Sequence, residues 1–184
     1  MTEFLLWCLP ALIYVFVQAR RPDGSMRAAL DRLGVAWGSP RAWLWALGIL
    51  AVTLGLSWGA SLLIPASVWT QPGVTVGVAT SAAAVAAVIL RAVGEEVFFR
   101  GLLGGVLMRR LGVVWGNLAQ AAIFLLPHLA LLAVDARVWP LLPAQFVTGL
   151  LLGWLRHRAE SFVPGAAVHA AVNLAAGLLW GGAS

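Results

Sequence analysis

The sequence predicts an all-α fold, a polytopic membrane bundle of about six transmembrane helices, and three observations lead there. Of the 184 residues, 61% are hydrophobic and only 10% are charged, with a mean hydropathy of +0.92. Soluble domains carry about 25% charged residues, so this chain lacks the polar groups to cover a water-facing surface. Apolar runs close to the ~20 residues that cross a bilayer recur along the chain, separated by short polar turns. The net charge of +5 comes from arginines alone, twelve of them, scattered over several of those turns. Such scatter points to membrane topology and anionic headgroups, and argues against nucleic acid as a partner. The single Cys8 excludes an internal disulfide and a cysteine-rich metal site. Leu5-Leu6-Trp7-Cys8 has the look of a lipoprotein cleavage box, but it stands too early and has no basic residue before it.

Taken in order, the first span covers Phe4 to Ala19, and Arg20 and Arg21 can snorkel at its end. Met26 to Leu33 has helical spacing inside the basic stretch 20–41, as expected of a helix lying on the membrane surface. A second span runs from Ala42 to Ile64, with Trp43, Trp45 and Trp69 as interfacial anchors. Pro65 and the Gln71-Pro72-Gly73 turn close it. The small residues of Ala82 to Ala87 predict close helix packing. The third segment, Val74 to Met108, would measure roughly 50 Å as a straight helix, against a hydrocarbon core of about 30 Å. It must therefore tilt, break or project, with Gly94 or Gly101 as break points. After the basic turn Arg109-Arg110-Leu111-Gly112, spans four, five and six cover Val113–Val134, Val138–Leu155 and Phe162–Trp180. Asp135-Ala136-Arg137 and Arg156-His157-Arg158-Ala159-Glu160 join them, which makes His157 interfacial. Segments 20–41, 109–112 and 156–161 carry five, two and two arginines, and the alternate segments together carry one. This asymmetry predicts both termini outside and the basic loops in the cytoplasm.

Arg91-Ala92-Val93-Gly94-Glu95-Glu96-Val97-Phe98-Phe99-Arg100 interrupts the pattern, since it sets four charges between long apolar runs. A charge at membrane depth costs at least about 2.5–3.5 kcal/mol, so the cluster reads as a functional site. The other ionisable groups within spans are His128 and His169, and carboxylates beside histidines are the groups that activate water. Glu95 lies sixteen residues before Leu111 and His128 seventeen after it. At about 1.5 Å per residue the two reach the same depth on antiparallel neighbours. His169, about eight residues into its span, falls some 10 Å shallower by the same arithmetic, unless its helix starts lower or the third segment bends. Arg91 with Glu95, and Glu96 with Arg100, are i,i+4 pairs, while Glu95 and Glu96 point about 100° apart. Apolar replacements for a neutralised quartet would cost little or even stabilise. The economical division has Arg100 holding Glu96 while Glu95 faces the histidines. Arg91 either tunes Glu95 or reaches for a headgroup or a substrate carboxylate. His169 and Asn173 share a face, and either can donate to a developing oxyanion.

Glu95-Glu96-x-x-x-Arg100, Phe124-x-x-x-His128 and His169-x-x-x-Asn173 together resemble the three-motif signature of the CPBP family of intramembrane proteases. That family includes type II CAAX prenyl endopeptidases and proteins of bacteriocin processing and immunity. The likeness covers residues 80–178, with Gly153-Trp154-Leu155-Arg156 and Ser161-Phe162-Val163-Pro164 leading into the last motif. It implies variable N-terminal helices and a basic loop over 1–73, and a catalytic bundle over 74–184 with its active site buried between helices. It further implies that Glu95 and His128 activate the attacking water and that His169 and Asn173 stabilise the tetrahedral intermediate. Arg100 would pair with Glu96, and Phe124 would shape the pocket. Pro127 should loosen the helix beside His128. Glu95, Glu96, His128 and His169 could also supply a zinc site with an open position. However, His-Glu-x-x-His is absent and Glu96 is committed to Arg100, so a cofactor-free mechanism with Glu95 as base needs fewer assumptions. The expected partners are the lipid bilayer and a membrane-embedded or membrane-anchored protein substrate. The expected location is the inner (plasma) membrane of a prokaryote. Counted to the cytoplasmic turn, the site lies some 20 Å deep, in the outer half of the bilayer. That suits the tail of an exported or surface-anchored protein. Two other readings stand beside this one: a proton- or ion-coupled transporter, although the repeat symmetry of many transporters is missing, and a non-catalytic immunity or scaffold protein.

Overall fold

The computed structural model describes residues 2–69, 71 and 81–180, so the expected start of the third segment at Val74 and the turn at Pro72-Gly73 lie outside the described residues. Helices follow the apolar runs closely. α1 covers Thr2–Ala19, α2 Met26–Leu33, α3 Pro40–Leu62 and α4 Ala66–Trp69. α5, Ala82–Glu96, continues as a π-helical segment, Val97–Gly104, into α6, Gly105–Leu129. The short α7, Leu131–Val134, and a 3-10 turn, Ala136–Val138, lead to α8, Leu141–Ala159, and α9, Val163–Trp180. Serines start three of these helices: Ser25, Ser39 and Ser81 accept from the amides of Ala28, Ala42 and Ala84, which satisfies donors that a helix start leaves open.

The bundle is apolar outside and polar within. Leu5, Leu9 and Leu12 on α1 and Leu44, Leu47 and Leu62 on α3 are exposed, whereas Glu95, Glu96, Arg100, Gln120 and His169 are buried. That inversion suits a hydrocarbon surround. Among the described residues, three stretches are long and apolar enough to cross a membrane: Thr2–Ala19, Pro40–Leu62 and Ala82–Val134. The third folds back on itself at Gly112, whose φ of 78° and ψ of 165° interrupt α6. Only glycine occupies that region freely. The two legs then pack antiparallel, so closely that a Cβ on Gly116 would strike the backbone of Leu107 and Met108. The expected break at Gly94 or Gly101 does not occur. Gly94 instead admits Phe4 and Trp7 of α1, and Gly101 admits Leu33 of α2; both glycines serve close approach. Nor do the small residues of α5 pack as expected. Ala82, Ala83, Ala86 and Ala87 are exposed, because α1 pairs with the later part of α5, around Arg91 and Gly94.

The polar turns are as organised as the helices. Gly34 closes α2 in the left-handed conformation, with its amide on the carbonyls of Leu30 and Asp31. Its own carbonyl accepts from the amide of Phe162 at 3.1 Å, and Ser161 donates its hydroxyl to the carbonyl of Ala36. The turn between α8 and α9 is therefore buried beneath the α2–α3 loop, and α9 begins inside the protein. Ala11 and Val15 of α1 and Ala29 and Leu33 of α2 form one cluster, against Val97 and Leu102. A second joins Ala46 and Ile49 of α3 to Leu152 and Leu155 of α8 and Val168 of α9.

Replacing Gly112 with alanine should lower stability by about 1–3 kcal/mol. Asparagine should not rescue it, because a ψ of 165° lies outside the left-handed helical region that asparagine tolerates. Thermal unfolding in detergent would check both, and an Asn variant matching the parent would contradict this account of the fold-back.

Candidate active site

The residues singled out from sequence converge around Glu96 and Arg100. Arg100 Nη1 donates to Glu96 Oε1 at 2.7 Å, and neither side chain has any solvent exposure. His169 of α9 brings Nδ1 to the same oxygen at 2.9 Å. A carboxylate held by an arginine is acceptor only, so Nδ1 carries the hydrogen and donates. Gly165 lies one turn before His169, and a Cβ there would make an ordinary van der Waals contact with Glu96 Oε2, at 3.5 Å. The apparent depth mismatch of His169 disappears for a specific reason. The α8–α9 turn is sunk to the level of Gly34, while the Gly112 hairpin projects past α2, so the two turns are unequal rulers.

Glu95 faces a different set of groups. Its Oε1 accepts from Arg91 Nε at 3.0 Å, and its Oε2 stands 3.8 Å from His169 Nε2. Arg91 is half exposed and also lies 3.6 Å from Glu3 of α1. His128 is oriented by its own helix, with Nδ1 donating to the carbonyl of Phe124 at 3.0 Å. That leaves Nε2 with its lone pair free to accept. The helix runs through Pro127 to Leu129, so the proline does not end it. Asn173, one turn beyond His169 and half-buried, makes no hydrogen bond among the described residues.

Phe124 is the packing hub. Its fully buried ring lies 4.1 Å from Arg100 Cζ, 4.8 Å from the His128 ring and 6.1 Å from the His169 ring, and meets Phe99 edge-on at 5.1 Å. A guanidinium over an aromatic face is attracted by the ring quadrupole. This helps to hold Arg100, whose Nε and Nη2 have no hydrogen-bond partner among the described residues. α6 is fixed in turn by α8. Gln120 Nε2 donates to the carbonyl of Gly149 at 2.8 Å and to Asn117 Oδ1 at 2.9 Å, and Asn117 Nδ2 reaches the carbonyl of Leu150 at 3.1 Å. Gly149 and Gly153 permit the approach: a Cβ on Gly149 would press on Ala121 and Phe124, and one on Gly153 would collide with Asn117 and Gln120. The sequence reading missed this clamp, although Gly149-x-x-x-Gly153 and a buried glutamine in an apolar span are both readable signals. The π-helical turn that carries Arg100 left no such trace.

Among the described residues, no three His, Cys, Asp or Glu side chains converge as a metal-ligand set. Glu96 Oε1 is taken up by Arg100 and His169, so that oxygen is not available as a zinc ligand.

Fold and site together define an all-α integral membrane protein with a carboxylate–histidine cluster sealed between helices. Its family follows from comparison. Residues 77–175, just over half of the chain, match the family described as type II CAAX prenyl endopeptidase Rce1-like, and the chain belongs to that family. Membership places it in general terms among the CAAX-type intramembrane endopeptidases, and the match spans every site residue above except Glu3. No curated protein and no solved structure matches the chain.

Glu96→Gln keeps the shape but strands a buried guanidinium. It should destabilise the protein by about 3–5 kcal/mol, read as a fall in the thermal unfolding midpoint. Glu95→Gln, whose partner Arg91 is half exposed, should cost about 1 kcal/mol or less.

Proposed function

We propose that this protein hydrolyses a peptide bond in a membrane-associated polypeptide, with Glu95 as general base and without a metal ion. The observation that carries this reading is the unequal setting of two adjacent carboxylates. Glu96 is fully buried and held through Oε1 by both Arg100 and His169, whereas Glu95 is paired with the half-exposed Arg91 and turns Oε2 toward the histidine side, 3.8 Å from His169 Nε2. A water between Glu95 Oε2 and His128 Nε2 would meet two acceptors, one for each hydrogen.

The reaction then runs in balanced steps. Glu95 takes a proton from the water, and the resulting hydroxide adds to the scissile carbonyl carbon. The carbonyl oxygen becomes an oxyanion that accepts from the Asn173 amide and from His169 in its protonated form, held by Glu96 through Nδ1. Glu95 returns its proton to the amide nitrogen as the carbon–nitrogen bond breaks. The proton left on the new carboxyl group passes to the amine, so the products are a carboxylate and a protonated amine, and Glu95 ends ionised as it began.

The location of the site bears on the substrate. Glu96 lies little more than one helical turn from Gly101, which packs on Leu33 at the end of α2. α2 is amphipathic, with Arg27, Asp31 and Arg32 exposed and Ala29 and Leu33 buried, as expected of a helix at the membrane surface. Counted from α2 rather than from the Gly112 hairpin, the reaction would lie within about 10 Å of the basic face. By the arginine asymmetry that face is cytoplasmic, in place of the outer half of the bilayer. A multi-pass protein of a prokaryotic inner membrane, cutting an anchored tail presented from the cytoplasmic side, fits these features.

Cleavage of candidate membrane-anchored substrates by purified protein tests the reading. Glu95→Gln and His128→Ala should each lower kcat by about 10²–10⁴-fold, and Asn173→Ala by about 10²–10³-fold. Undiminished cleavage in both of the first two variants would sink the mechanism, and restoration by added zinc after chelation would redirect it.

A further inference from the structure

Two arginines the reaction does not use meet at the basic end of the bundle. Arg109 Nη1 of α6 and Arg156 Nη2 of α8 each donate to the carbonyl of Arg32, in the last turn of α2, and both distances are 3.2 Å. Nitrogens that share one acceptor stand no farther apart than twice that distance, so two like charges are crowded together. Neither guanidinium has a carboxylate within ion-pair distance among the described residues. Glu160 acts on Arg156 only at longer range.

The arrangement is built. Arg156 is only 9% exposed, yet its buried Nε has no partner among the described residues. A Cβ on Gly34 would lie 2.5 Å from Arg156 Cζ, and one on Gly105 would lie 3.1 Å from Arg109 Nη1. The chain thus leaves out side chains on two elements to seat the two guanidiniums. Tyr14 of α1 fixes the first, accepting from Arg109 Nη2 at 3.0 Å. Burial, and then the charge of Arg109, push Arg156 down to about 10, so it remains a cation at neutral pH. Capping alone does not account for this. One cation satisfies the negative end of a short helix, and a second adds repulsion without a new acceptor. An oxyanion that bridges the pair removes the repulsion and uses the spare donors, because guanidinium forks match phosphate geometry.

We propose that Arg109 and Arg156, seated on the C-terminal turn of α2, form a binding site for a phosphate-type oxyanion. In the membrane, the headgroup of an anionic phospholipid supplies it. The position agrees with this source, since α2 has its charged face exposed at the level where headgroup phosphates lie. Occupancy ties α1, α2, α6 and α8 together below Gly101, and so supports the segment that carries Arg100. The inference is independent of the proteolytic reading.

The test is the unfolding midpoint of the full chain in zwitterionic detergent, with phosphatidylglycerol or phosphatidylcholine added, and separately with inorganic phosphate against chloride at equal ionic strength. Phosphatidylglycerol should raise the midpoint by about 4 °C or more at saturation, and phosphatidylcholine should not. Arg109→Gln should abolish the rise, whereas Arg110→Gln, the same charge change at its exposed neighbour, should keep it. Both arginines cap α2, but Arg156 is buried and Arg109 exposed, so Arg109→Gln disturbs the fold less and carries the test, with Arg110→Gln as the control. A rise with lipid alone identifies the headgroup as ligand; a rise with phosphate as well extends the site to free anions. Equal shifts with both lipids, or a loss in Arg110→Gln as large as in Arg109→Gln, would overturn the proposal.

Discussion

The Glu96–Arg100 pair is the interaction on which the remaining structure depends. Both side chains are fully buried, and a charge removed from water must be matched by geometry or the fold fails. The match here is drawn from three elements. Glu96 closes α5, Arg100 sits on the π-helical segment, and His169 arrives from α9 to complete the acceptor oxygen. Phe124 of α6 supplies the ring face under the guanidinium. Any shift of one helix against the others exposes a buried charge to hydrocarbon, so the pair fixes the relative positions of four segments.

Burying charge at the centre requires close contact around it, and in lipid that contact cannot come from hydrophobic exclusion. Glycine supplies it instead. Gly94 seats α1, Gly101 seats α2, and Gly149 and Gly153 seat α6. The interhelical hydrogen bonds of Asn117 and Gln120 then hold α6 in register, and with it Phe124 and His128. The proposed function rests on the asymmetry this produces: Glu96 is held between Arg100 and His169, and Glu95, about 100° around the helix, is not.

The basic end follows the same logic. Arg109 and Arg156 are brought to one carbonyl by glycines that make room for them, but no carboxylate among the described residues lies within ion-pair distance of either. The difference between the two arginine sites is instructive. Arg100 is answered from within the chain, and the pair at α2 is where we propose that an anionic headgroup supplies the answer.

Much of this was legible in the sequence, because the signals were local or one-dimensional. Hydropathy located the helices, and the surface helix Met26–Leu33 was found at its observed bounds. Spacing of four paired Arg91 with Glu95 and Glu96 with Arg100, as observed, since residues four apart share a helix face. Equal counts from Leu111 brought Glu95 and His128 to one depth. What the sequence could not decide were quantities that depend on how far one segment slides past another. The sunken α8–α9 turn, which brings His169 to Glu96, rests on Phe162 meeting Gly34 across more than a hundred residues. The π-helical turn at Arg100 and the fold-back at Gly112 in place of Gly94 or Gly101 are likewise settled by packing. Composition and spacing determined that this is a helical membrane protein with a charged centre; only the tertiary contacts decided that Glu96 is held by both Arg100 and His169 while Glu95 is held by a half-exposed arginine.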